Sequence, residues 1–270
     1  NNCATSDFFQ FNSTRCDKQK LLLVKNYESE SVFQSLKLDE SCLAVVNRAV
    51  AGTPPASYLD DFKAVIWSAG TDMTNIDSSD AAALAAYYNK KGKIIVEGSD
   101  VAFRHGSDDF MRSILHSELK TDLGFTVTSI ANMSNLSINV TRQHPIVYGL
   151  ASPLPFNATL DQFPDAVHAY NGSVELAEWS GLETKGSAIV AYESEDGTKK
   201  SLLLPFSIAA LNVPDAKELA TSTLKWLLEN SAVDVKPLEI KYGGKYPLIT
   251  KELGQFCAAV CVPMWKLLQK

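Results

Sequence analysis

From Leu21 onward, short unbroken apolar runs alternate with segments whose apolar residues recur at helical spacing. LLLVKN (21–26), CLAVVNRAV (42–50), AVIWSAG (64–70) and KIIVEGS (93–99) are strand-length and apolar almost throughout. That is the pattern of strands covered on both faces. Between them, YESESVFQSLK (27–37) and SSDAAALAAYYNKKG (78–92) have helical spacing. The second opens on Ser and Asp and stops at Gly92, as capped helices do. AGTPPASYLDD is turn-rich. SDDFMRSILHSEL (107–119) reads as an amphipathic helix capped by Ser107-Asp108-Asp109. Met111, Leu115 and Leu119 stand at i, i+4 and i+8, and Phe110 and Ile114 widen the stripe. This alternation predicts an α/β fold with a doubly wound, mostly parallel sheet and right-handed crossovers.

The next stretch changes rhythm. FTVTSI, LSINVTR, VELAEWS, SAIVAYES and KKSLLLPFS are strand-like segments separated by Gly, Pro and Asn. They predict a mixed or antiparallel extension of the same sheet. DAKELATSTLKWLLEN (215–230) is a closing helix. The domain plan is an N-terminal arm (1–20), one α/β domain (21–230) and an appendage (231–270) with a strand and an apolar helix that Pro263 would kink.

Charge and cysteine usage narrow the setting. The net charge is -6 without a Lys/Arg run, which excludes the basic footprint a nucleic-acid binder needs. No apolar stretch is long enough for a membrane helix; membrane anchoring is expected only if the chain continues past Lys270. The first residue is not Met, and either a removed leader or a trimmed chain is expected. Six glycosylation sequons begin at Asn12, Asn132, Asn135, Asn139, Asn157 and Asn171; about two are expected by chance. Cys3 and Cys16 flank a polar arm that a disulfide would order, with each other, Cys257 or Cys261 as partners. Cys42, at the head of an apolar run, reads as a buried free thiol. Cys257 and Cys261 share a helix face, but no His/Cys pair nearby completes a metal site. These features point to a secreted or cell-surface glycoprotein, with the endoplasmic reticulum lumen as the alternative.

Four phrases, in this order, carry a family resemblance: YLDDFKAVIWSAGTDM, LAAYYNKKGKIIVEGSD, HPIVYGL (144–150), and SLLLPFSIAAL leading to the helix with TLKWLL. Together they resemble the class I glutamine-amidotransferase-like fold, a flavodoxin-like variant, over about residues 20 to 230. HPIVYGL is similar to a phrase of trehalose-utilisation-like and other degenerate members. Fold alone does not carry function. The resemblance implies a nucleophile in a tight turn after the fourth strand. Here that turn is Glu97-Gly98-Ser99-Asp100-Val101, with no Cys. A serine elbow wants small residues two before and two after the nucleophile, where this chain has Glu97 and Val101. The resemblance also implies a His-x-Glu pair far downstream. The literal match, His116-Ser117-Glu118, falls too early and reads as two exposed helical positions.

The expected function is therefore a non-catalytic binding or assembly module that docks protein partners or further copies through its arm and tail. One subcase is a non-catalytic luminal subunit of an oligosaccharyltransferase-like complex. The enzymatic alternative is a carbohydrate-acting or other hydrolase using Ser99, with His105 or His144 as base and Asp100 as orienting acid. A third reading is a sugar-binding module. In open α/β sheets ligands meet the carboxyl ends of the strands. There AVIWSAG supplies Ser68, Gly70, Thr71 and Asp72, and the following loop supplies Ser99, Asp100, Arg104 and His105. Rim aromatics would help hold a sugar, but Trp67 and Phe103, the nearest by sequence, read as core. Neither a Walker loop nor G-x-G-x-x-G occurs, so no cofactor is expected.

Overall fold

The structure, a computed structural model, describes residues 21–26, 31–36, 38, 42–71, 76–90, 92–126, 135–181 and 185–228. The chain divides between Asn230 and Ser231. The expected arm (1–20) and appendage (231–270) lie outside the described residues, as do residues 127–130 of FTVTSI.

Strands β1 (Leu21–Lys25), β2 (Leu43–Asn47), β3 (Ala64–Gly70) and β4 (Lys93–Gly98) match the four apolar runs. They are followed by β5 (Ser117–Asp122), β6 (Ser137–Val140), β7 (Leu154–Pro155) and β8 (Asp165–Ala169). The last three are β9 (Val174–Ser180), β10 (Ser187–Glu193) and β11 (Lys200–Leu204). They form one mixed sheet ordered β2-β1-β3-β4-β11-β10-β9-β6-β7, with β8 pairing β10 and β5 beside that path. β2, β1, β3, β4 and β11 run parallel. From β10 outward the pairs are antiparallel.

Among the described residues, helices of very unequal length lie between the strands, namely α1 (Arg48–Ala51), α2 (Ala56–Leu59), α3 (Ser78–Lys90), α4 (Val101–His105) and α5 (Leu123–Thr126), and α6 (Val213–Leu228) follows the last strand. Strand side chains alternate between faces. Leu22, Val24, Val65, Trp67, Ile94 and Val96 pack with Leu84, Tyr87 and Tyr88 of α3. Leu23, Ile66, Ile95, Leu202 and Leu204 pack in the other core with Leu219, Leu224 and Trp226 of α6. Two covered faces explain why β1, β3 and β4 are apolar throughout, whereas β2, at the end of the sheet, is only partly buried, with Val45 41% exposed. Asp77 holds the start of α3, accepting from the N–H groups of Ser79 at 2.8 Å and Asp80 at 3.0 Å. Its carboxyl titrates low, at about 2, chiefly through the Ser79 hydroxyl.

Several sequence expectations need correction. Of the helix expected over 27–37, the described residues form only a short turn at Gln34–Leu36, and FTVTSI begins inside α5 rather than as a strand. Residues 107–119 are not one helix. Asp108 caps a short helical turn, Phe110–Ile114, by accepting the Met111 N–H at 2.9 Å. His116 then takes a left-handed backbone (φ 50°) and the chain enters β5, which pairs antiparallel with β8. A strand partner 50 residues downstream overrides a local helical pattern. His116 is accordingly buried, stacked on Tyr192 with ring centroids 3.5 Å apart and 3.1 Å from the Tyr88 hydroxyl. Glu118 is half-buried and pairs with Arg112 at 2.7 Å. CLAVVNRAV stops being a strand at Asn47, whose side chain accepts the Ala49 N–H and opens α1. Cys42 is disulfide-bonded rather than a free thiol.

Candidate functional site

β3, β4 and β11 end side by side, and a set of buried carboxylates collects at their carboxyl edge. Glu97 of β4 lies in register with Ser68 of β3 and Leu204 of β11. It is fully buried. The Ser68 hydroxyl donates to Glu97 Oε1, and the Ile208 N–H donates to Oε2 at 3.1 Å. Beyond Gly98 the chain turns, with the Ser99 N–H donating to the Gly70 carbonyl at 2.8 Å. Ser99 is fully buried, and its hydroxyl donates to Asp161 Oδ1 at 2.5 Å. Asp161 also accepts the N–H groups of Phe163 at 3.1 Å and Ser207 at 2.7 Å. This carboxylate therefore ties the turn after β4 to the segments before β8 and after β11.

Asp100 adopts a left-handed backbone, φ 55°, and its N–H donates to the Phe163 carbonyl at 3.1 Å. Its side chain points inward at 2% exposure, and neither carboxylate oxygen meets a hydrogen-bond partner. Asp165, heading β8, accepts the Phe103 N–H at 3.0 Å with Oδ2, while Oδ1 meets none. Asp122, closing β5, accepts the Gly124 N–H at 2.8 Å. Among the described residues, Asp100, Asp122 and Asp165 are the group placed to hold a metal ion together.

Burial dominates the electrostatics here. Desolvation pushes Glu97 up to about 7, against the Ser68 and Ile208 hydrogen bonds that favour its charged form. Asp100 rises to about 6 and Asp165 to about 8, both mainly through burial and then neighbouring carboxylates. Asp161 is raised too, by burial. A carboxyl with a raised folded-state pKa keeps a proton that the unfolded chain has released, so it makes stability fall as pH rises. For Glu97 that window runs from its ordinary value of 4.5 to about 7. Glu97→Gln is expected to flatten the stability–pH curve there by up to about 1.4 kcal/mol per pH unit. Urea titrations of both proteins at intervals across the window measure it. His116 and His144, both lowered to about 4 by burial, slope the other way and are common to both proteins.

No family model and no curated protein matches the chain. Solved structures that it resembles include an exo-β-1,4-mannosidase from Opitutaceae bacterium strain TAV5, at 10% identity and TM-score 0.44, over 77% of this chain and 35% of that one. Another is Agd3, described as a novel carbohydrate deacetylase, at 10% identity and TM-score 0.48, over 77% of this chain and 32% of that one. A third is a β-galactosidase from the Antarctic haloarchaeon Halorubrum lacusprofundi, at 11% identity and TM-score 0.45, over 77% of this chain and 30% of that one. The chain thus spans about a third of each of these proteins.

The site residues expected from sequence are placed unevenly. Ser68, Gly70, Ser99 and Asp100 do converge, but all four are buried. The open polar crevice expected of them is therefore not what they form, because their polar groups turn inward on carboxylates. Thr71 and Arg104 are exposed, and Asp72 lies outside the described residues. The Ser99–His105 pair does not form. His105 Nδ1 pairs with Asp108 at 2.8 Å and Nε2 lies 3.1 Å from the Ile76 carbonyl. His144 serves neither: it accepts the Ile146 N–H at 3.3 Å and meets the Trp226 ring edge-on. Trp67 is core as expected, but Phe103 is 46% exposed on α4, between the buried Ala102 and the exposed Arg104. Asp161 and Asp165 were not singled out from the sequence. They lie 62 residues from their partners Ser99 and Phe103, Asp161 in the loop before β8 and Asp165 at the head of that strand. Of the sequon asparagines, Asn135, Asn157 and Asn171 are exposed and Asn139 is half-buried; Asn12 and Asn132 lie outside the described residues.

Proposed function

We propose that this chain is a non-catalytic binding or assembly module of a secreted or cell-surface glycoprotein, built on a degenerate class I glutamine-amidotransferase-like domain. The parallel order β2-β1-β3-β4-β11 supports the flavodoxin-like part of that reading, since it follows the 2-1-3-4-5 order of such sheets. One observation carries the loss of catalysis. Ser99 occupies the nucleophile's turn, yet its hydroxyl is sealed from solvent and committed to Asp161, with no histidine on it. A nucleophile needs a base in hydrogen-bond reach and an open face for substrate. Three exposed sequon asparagines and a disulfide-bonded Cys42 fit an oxidising, glycosylating compartment. Docking is assigned to the arm and tail, which lie outside the described residues.

A fluorophosphonate probe on the intact protein tests this reading. No label is expected on Ser99, and Ser99→Ala is expected to cost about 1–3 kcal/mol of stability by removing one of the donors to the buried Asp161 carboxylate, which keeps the Phe163 and Ser207 N–H groups. Stoichiometric labelling that Ser99→Ala abolishes would restore the hydrolase.

A second reading, carbohydrate recognition at the same edge, is favoured by the exposed Phe103 next to the exposed Arg104. An aromatic face beside a polar donor suits a sugar ring. It predicts glycan binding that Phe103→Ala weakens without lowering stability, read on an immobilised glycan panel.

A further inference from the structure

We propose that Asp100, Asp122 and Asp165 form a calcium-binding site at the carboxyl edge of the sheet. They come from three separate places: the turn after β4, the end of β5 and the start of β8. One carboxylate oxygen from each falls within 4.8 Å of the others, and all three residues are buried. Proximity of acids alone would not make a site. The second observation is that the Asp100 carboxylate, 2% exposed, has no hydrogen-bond partner on either oxygen, and that Oδ1 of the fully buried Asp165 has none either. Glu97 and Asp161, equally buried at the same sheet edge, are each met by donors. The edge therefore supplies N–H and O–H groups to its structural carboxylates and withholds them from Asp100. Buried carboxylates left in that state are costly unless paired or bound to a metal. Among the described residues, neither Asp100 nor Asp165 enters an ion pair with Lys, Arg or His.

The donor set chooses the ion. Oxygen ligands without nitrogen or sulfur select a hard cation. Magnesium usually keeps several waters and takes one or two carboxylates, whereas calcium accepts a cage of protein oxygens. Three buried carboxylates whose oxygens lie within 4.8 Å of one another therefore favour calcium. Calcium bound here would join the turn after β4 to the β5–β8 pair. This inference holds whether or not the domain is catalytic.

The test uses the full chain after chelator treatment. Trp179 Nε1 donates to the Asp165 backbone carbonyl at 2.8 Å, so an indole stands next to the site as an antenna. Terbium is expected to give tryptophan-sensitised emission saturating at one ion per chain and reversed by calcium. About 10 mM calcium is expected to raise Tm by roughly 3–10 °C, if affinity falls in the submillimolar-to-millimolar range of extracellular sites. Asp100→Asn and Asp165→Asn should each cut the emission at least about tenfold and abolish the Tm shift. Either variant suffices if the other does not fold, and the one-to-one stoichiometry stands on the unaltered chain alone. A folded protein with neither emission nor a calcium shift would overturn the proposal. So would responses that survive in both variants, which would mark adventitious binding to an acidic surface, or a larger shift with magnesium than with calcium.

Discussion

Gly98→Ala is expected to destabilise the protein by about 3–5 kcal/mol, through strain and overpacking together. Gly98 closes β4 with φ 141°, a conformation L side chains rarely adopt. A Cβ there would stand 2.6 Å from the Ala69 Cβ and 2.9 Å from the Gly70 carbonyl oxygen. Neither neighbour is the far end of a flexible chain, so β3 itself must shift. That shift would pull on the Ser99 N–H bond to Gly70 and on the Ser68–Glu97 pair, which together hold the turn. Gly106 is the control. It too has a positive φ, 58°, but nothing lies within 4 Å of its Cβ position. With ψ −106° it lies outside the left-handed helical well, so Gly106→Ala should cost about 1–3 kcal/mol, the backbone strain alone. Urea unfolding of both variants separates the two contributions. Equal losses would show that close approach of β3 and β4 is not what Gly98 provides.

Lys200→Ala is the other large loss expected, about 3–5 kcal/mol. Lys200 heads β11 and is fully buried. Its ammonium donates to the Trp226 carbonyl at 2.9 Å, pairs with Glu193 at 3.0 Å and lies 4.9 Å from the centre of the Trp226 ring. One side chain thus links the central strand β11 to the last turn of α6, where the helix dipole favours a cation. Alanine removes the charge, leaves Glu193 without its cation though still accepting the Trp226 Nε1–H at 3.1 Å, and opens a cavity under Trp226. Lys200→Met keeps the apolar stem and should lose clearly less. If Met and Ala lose the same amount, the ion pair matters and the packing does not.

How much of this was legible from the sequence depends on the range of the interaction that decides each element. The parallel half of the sheet was legible because covered strands need uninterrupted apolar residues, and AVIWSAG and KIIVEG supply them between helix signals. α6 was legible from Leu219, Leu224 and Trp226. β5 was not, because Met111, Leu115 and Leu119 keep helical spacing up to a reversal that only the left-handed His116 and the β8 pairing reveal. The turn holding Ser99 was located correctly, but the direction of its side chains was not. Nothing in VEGSDVAFRHG indicates that Ser99 faces Asp161 or that Asp100 faces Asp165 and Asp122, because those acids arrive from elsewhere in the chain. Phe103 shows the same limit on the surface side. Its apolar neighbours suggested core, yet α4 is too short to bury both of its faces.

Under the function proposed above, the domain works by assembly rather than by chemistry. Native mass spectrometry of the protein from its source, before and after glycosidase and reductant, tests this most directly. The account predicts a chain carrying glycan mass within a stable multimer or with a copurifying partner. A bare monomer carrying a bound substrate or its hydrolysis product would contradict it.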